Sequence, residues 1–149
     1  RILESNEKIY WDDLGLRKDG KTVRDYYYHG VSHQLGLDTH DICTERERTL
    51  KPGMVITVEP GLYIEDESIG IRIENELLCK KGEKNEYGQY MYFETLTMAP
   101  IDLDAVLPEE MTAREKQILN EYHKKVYETL LPYMNEEEGK WLREATKAI

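Results

Sequence analysis

The stretch His29-Gly30-Val31-Ser32-His33-Gln34-Leu35-Gly36-Leu37-Asp38-Thr39-His40-Asp41 places three of the chain's four histidines within twelve residues. Downstream lie Thr57-Val58-Glu59-Pro60-Gly61-Leu62-Tyr63 and Gly70-Ile71-Arg72-Ile73-Glu74-Asn75, where Glu59 and Glu74 interrupt apolar, strand-like segments. An imidazole with carboxylates is the donor set that holds divalent ions in hydrolytic sites. A carboxylate within a Val- and Ile-rich strand is costly to bury unless a cation or donor satisfies it. On spacing alone the histidines fit a metal role and an ordinary core or surface role equally. His29 and His33 would share a helix face, but Gly30 and Val31 weaken a helix there, and no Glu follows His29 to make a zinc-protease motif.

Around this block the periodicity predicts an α+β chain. Met54 to Val58 and Leu62 to Ile64 read as short strands about the Pro60-Gly61 break. Ile71 to Leu77 alternates, which puts Arg72 and Glu74 on one sheet face. Lys80 to Tyr87 reads as a charged loop, and Tyr90 to Met98 as another strand. Thr112 and Glu115 form a capping-box signature before the stripe Ile118, Leu119, Tyr122, Val126 and Leu130. Asn135 with Glu138 caps a second helix that should turn Trp141, Leu142 and Ala145 inward after Pro132. Two domains are expected, residues 1–104 around the site and a helical extension, 105–149.

The 149 residues suffice for one real core, and Arg1 at the start suggests a longer parent. A net charge of −10 argues against nucleic acid or an anionic membrane as partner. Cys43 and Cys79 form no closely spaced metal or redox pattern, which fits a reducing, cytoplasmic compartment. The sequence shows no signal peptide and no apolar run long enough to span a bilayer.

The order of the three blocks resembles the aminopeptidase P and prolidase branch of the pita-bread metallopeptidases. The likeness runs from about Tyr28 to Asp102, and Phe93-Glu94-Thr95, Pro100-Ile101-Asp102 and Trp141-Leu142 are similar to the C-terminal extension of longer aminopeptidase P forms. It implies the second half of the pita-bread fold, an antiparallel sheet with helices, followed by that extension. It implies hydrolysis of the bond before a proline, with two divalent ions, most often Mn²⁺. By resemblance His33, Glu59 and Glu74 are metal ligands, with Glu74 bridging and Glu59 also shuttling the proton of the attacking water. His29 and His40 match two histidines that line the substrate site and stabilise an oxyanion. Arg72 matches an arginine that orients a ligand carboxylate. The resemblance also implies a peptide substrate with proline second and a homo-oligomeric parent.

Two departures stand out. The family takes two further aspartate ligands from well upstream, and Asp12, Asp13, Asp19 and Asp25 lack the strand context it uses. Gln34 stands where relatives often carry an aromatic. The expectation is therefore a chain that retains half of a dinuclear site and is inactive alone. A prolidase, a creatinase-like hydrolase and a non-catalytic binding module of the same fold are the competing readings.

Overall fold

The computed structural model describes residues 23–41 and 49–149. Cys43, Asp12, Asp13 and Asp19, with the expected turn at Asp19-Gly20, lie outside them. The described residues form two compact units, one ending at Glu94 and the other running Thr95–Ile149.

In the first unit, a single helical turn, α1 (Val23–Tyr26), leads into the histidine segment. The strands are β1 (Val55–Val58), β2 (Gly61–Ile64), β3 (Ile69–Arg72), β4 (Asn75–Asn85) and β5 (Gly88–Thr95). They make a three-stranded sheet in the order β1-β4-β5 and a separate β2-β3 ribbon. β1 and β4 are antiparallel, with Ile56 opposite Leu77 and Val58 opposite Asn75. The ladder continues past β1, since Gly53 donates to the Cys79 carbonyl and Cys79 to that of Met54. Ile56, Thr57 and Cys79 are buried here.

Two expectations change. The alternating stretch from Ile71 to Leu77 is not one strand: β3 ends at Arg72 and β4 begins at Asn75, in different sheets. Pro60 is the cause: it stands opposite Ile73 in the continued register and its carbonyl accepts from Ile73 N–H, but it has no N–H to return, so the ladder is interrupted there. The segment read as a charged loop is strand, β4 running on to Asn85 and turning back through Glu86 and Tyr87. Lys81, Glu83 and Lys84 are exposed there, so a strand with solvated faces carried charges that mimic a loop. Gly88 takes φ +138° at the turn, a conformation open to glycine.

The second unit holds α2 (Ala113–Leu130) and α3 (Glu136–Ala145). Both begin in full capping boxes. Thr112 exchanges hydrogen bonds with Glu115, and Asn135 with Glu138, satisfying backbone donors that the helix leaves orphaned. Leu119 and Val126 of the α2 stripe are buried, as is Leu142, expected inward on α3, together with His123. Trp141, expected inward, is 59 % exposed, and Ile118 is exposed as well. Pro132 falls in a 3₁₀ turn, Leu131–Tyr133, just past the end of α2. No helix among the described residues is long and apolar enough to cross a membrane.

Candidate metal centre

His33 reaches the site by strand-like pairing of its loop with β1. Its carbonyl accepts from Thr57 N–H at 3.0 Å, the Val31 carbonyl accepts from Glu59 N–H at 2.8 Å, and Gln34 bridges to Ile56. The loop and β1 therefore carry His33 and Glu59 side by side. His33 Nε2 lies 3.0 Å from Glu59 Oε1. His33 Nδ1 stands 3.0 Å from the Gln34 carbonyl, which can only accept, so Nδ1 carries the proton. In the neutral ring Nε2 then presents a lone pair to a carboxylate. Two acceptors at that separation call for a proton or a cation between them.

Glu74 completes the group. One ligand atom from each of His33, Glu59 and Glu74 falls within 4.8 Å of the others, close enough for the three to hold one ion. Glu59 is buried and Glu74 is more open, its carboxylate 3.3 Å from an Arg72 Nη. Arg72 and Glu74 thus meet as anticipated, although the strand breaks after Arg72. The neighbouring Tyr63 hydroxyl, then Glu74, raises the pKa of Arg72 above its ordinary value.

Thr57 is a site residue the sequence did not single out. Its hydroxyl accepts from His33 N–H at 3.0 Å and donates to Glu59 Oε1 at 3.2 Å. Residues two apart on a strand share a face, and that spacing from Glu59 was the signal available.

The other histidines flank this group. His29 Nε2 is 2.8 Å from the Tyr63 hydroxyl, and its Nδ1 is 2.7 Å from the Gly30 carbonyl. Its ring meets Tyr27 edge-on, with centroids 5.0 Å apart. The Tyr27 hydroxyl is buried without a hydrogen-bond partner among the described residues. Burial first, then the charge of Glu59, raises its pKa. His40 is exposed, and its ring stands edge-on to His33 at 4.5 Å between centroids. All six residues singled out from sequence therefore lie in the first unit, where His33, Glu59 and Glu74 converge.

Residues 2–81 match the model of metallopeptidase family M24, and residues 89–149 match the C-terminal region of peptidase M24. The chain belongs to metallopeptidase family M24. It is 35 % identical over 135 residues to Aminopeptidase P1 of Arabidopsis thaliana, covering 83 % of this chain and 21 % of that protein. It is 32 % identical over 149 residues to a protein of Coprinopsis cinerea named as a probable Xaa-Pro aminopeptidase P, covering 93 % of this chain and 24 % of the relative. The X-prolyl aminopeptidase of Caenorhabditis elegans, described as a cytosolic enzyme with a di-nuclear active site, superposes with a TM-score of 0.68. That match has 29 % identity and spans 96 % of this chain and 24 % of the worm enzyme. This M24 chain thus spans between a fifth and a quarter of the length of these relatives. Its α+β architecture of antiparallel sheets and helices agrees with the pita-bread type expected from the sequence.

Proposed function

We propose that this chain contributes His33, Glu59 and Glu74 to the dinuclear centre of an Xaa-Pro aminopeptidase, which releases the N-terminal residue preceding a proline. The convergence of these three groups within 4.8 Å, in a chain of family M24, carries the reading. The donor set fits: one imidazole and two carboxylates suit an oxygen-preferring divalent ion, with Mn²⁺ the choice favoured by the resemblance. Such ions supply Lewis acidity toward a carbonyl and make water a nucleophile at neutral pH.

The chain's own residues do the rest. Glu59, its carboxylate fixed by the Thr57 hydroxyl, takes the proton of the attacking water at an oxygen the hydroxyl leaves free. Arg72 holds the Glu74 carboxylate in place. The substrate is a peptide with proline second, and the whole protein is a cytoplasmic homo-oligomer that binds neither nucleic acid nor membrane. The cytosolic description of the worm enzyme supports that location.

Two octahedral ions need roughly six donors each. Among the described residues only His33, Glu59 and Glu74 gather as a candidate ligand group. The chain alone is therefore weakly metal-binding and inactive. The test is Mn²⁺ content per chain after loading and desalting, with calorimetric titration of the wild type, His33→Ala and Glu59→Gln. Near-zero retention, and weak binding abolished by either substitution, support the reading. Binding that both substitutions leave unchanged sinks the ligand assignment. Cleavage of Xaa-Pro peptides by the chain itself sinks the inactivity.

A further inference from the structure

We propose that Tyr63 is a positioning residue that holds His29 as a hydrogen-bond acceptor, leaving His40 as the histidine free to donate to a substrate oxygen. The proposal rests on the function above for what the histidines act upon. Its geometry is read from this chain's own residues.

The tautomer of His29 follows from its partners. A carbonyl can only accept, so the 2.7 Å contact with Gly30 places a proton on Nδ1. A neutral imidazole has one N–H, and Nε2 is therefore a lone pair. At 2.8 Å the Tyr63 hydroxyl donates to it. The ring is also wedged between aromatic neighbours, edge-on to Tyr27 at 5.0 Å and to Tyr63 at 5.3 Å between centroids. Neutral His29 thus has no N–H left for an oxyanion.

Tyr63 in turn sits in a cradle made by two glycines. In the β2-β3 register Gly70 lies opposite Tyr63 and Arg72 opposite Gly61, so these four residues share one face of the ribbon. A Cβ at Gly61 would stand 2.6 Å from the Tyr63 hydroxyl oxygen, and one at Gly70 would stand 2.7 Å from the ring carbon Cδ1. Any side chain at either position pushes the phenol off His29. The close approach explains why this face carries no side chain at Gly61 or Gly70, and it fixes where the hydroxyl points.

His40 has the opposite surroundings. It is exposed, and its ring nitrogens make no hydrogen bond among the described residues while the ring lies beside His33. An N–H there is available to stabilise negative charge on oxygen in the way a preorganised donor does. The two flanking histidines therefore have unequal roles.

The test is a long-range ¹H–¹⁵N correlation spectrum of the full chain labelled with ¹⁵N-histidine, at a pH well above the ordinary imidazole value. His29→Asn and His40→Asn assign the resonances. Wild-type His29 should show a single Nδ1–H tautomer with an unprotonated Nε2, and His40 should exchange between tautomers. Tyr63→Phe, which keeps the ring in its glycine cradle, should let the Nε2–H form of His29 appear and leave His40 unchanged. An Nε2–H on wild-type His29 overturns the proposal, as does a His29 spectrum indifferent to Tyr63→Phe. The wild-type result does not depend on the Tyr63→Phe variant folding. A chain whose Mn²⁺ binding is indifferent to His33→Ala and Glu59→Gln yet which shows the locked His29 tautomer would defeat the ligand assignment and leave the Tyr63 assignment standing.

Discussion

Thr57 donates a hydrogen bond from its hydroxyl to Glu59 Oε1 at 3.2 Å, from a side chain with 1 % exposure. Both side chains leave the same face of the sheet, separated by Val58, and the hydroxyl oxygen is also the acceptor for His33 N–H. One small buried group therefore fixes the backbone of the imidazole and the rotamer of the carboxylate. Such supporting contacts fix the orientation of side chains that could serve as ligands.

Thr57→Val keeps the shape and removes that group. His33 N–H, which is part-buried, loses its acceptor, and leaving such a donor unsatisfied costs about 1 kcal/mol, the low end of the range for buried groups. We expect urea denaturation to show a loss of that size. Affinity for Mn²⁺ should fall on the order of 10-fold or more, the usual effect of deleting a group that orients a ligand. An unchanged affinity would show that Glu59 needs no such support.

The capping boxes offer a check on the helical unit. Asn135 accepts from both Glu137 and Glu138 N–H, and α3 is only ten residues long. Asn135→Ala should destabilise that unit by ~1 kcal/mol, with loss of helical circular dichroism at a lower urea concentration. Thr112→Ala at the head of the 18-residue α2 should cost a similar amount. Asn135→Gly, which tolerates the cap backbone, should cost only a few tenths of a kcal/mol.

How much of this was legible varies by residue. His33, Glu59 and Glu74 stood out as a histidine and two carboxylates among apolar, strand-like segments, their reading as a ligand set came from the resemblance, and the structure brings them within 4.8 Å. Both capping boxes were readable because the signal is purely local. The break at Ile73 was not, since it comes from a cross-strand partner, Pro60, that has no N–H to return, and this leaves the alternation of the stretch itself intact. β4 was hidden beyond Lys80 because a solvated strand and a loop draw on the same charged residues. The role of Tyr63 depends on a cross-strand register that places Gly70 opposite it, which no periodicity prints.

Leu142 and Trp141 separate what periodicity and packing each say about α3. The apolar pattern groups them, yet Leu142 is fully buried and Trp141 is 59 % exposed. Leu142→Ala should cost ~2–5 kcal/mol, the loss of a buried side chain plus the cavity left behind. Trp141→Ala should fall within about 0.5 kcal/mol of wild type, as surface substitutions generally do. Equal losses in thermal or urea unfolding would mean that Trp141 is buried in solution.

His123 gives the helical unit a pH dependence of defined sign. It is fully buried, and its Nε2 accepts from Ile101 N–H at 3.0 Å, so the ring must be neutral there. Burial lowers its pKa below the ordinary 6.5, with the Lys147 backbone offsetting part of that effect. Nδ1 makes no hydrogen bond of ordinary geometry among the described residues, so that backbone group acts only from longer range. A depressed folded value means the unfolded chain binds the proton more readily. The stability His123 contributes is present above 6.5 and is lost as pH falls from there toward the folded value. The Glu115 carboxylate, lowered from 4.5 by the Thr112 backbone N–H and then its hydroxyl, acts in a separate and more acidic window. Urea midpoints measured from pH 8 down to pH 5 should therefore fall for the wild type, starting near the ordinary imidazole value of about 6.5. His123→Gln should be less stable at pH 8 and should lack this part of the slope. The same slope in both proteins would assign the titration to another group.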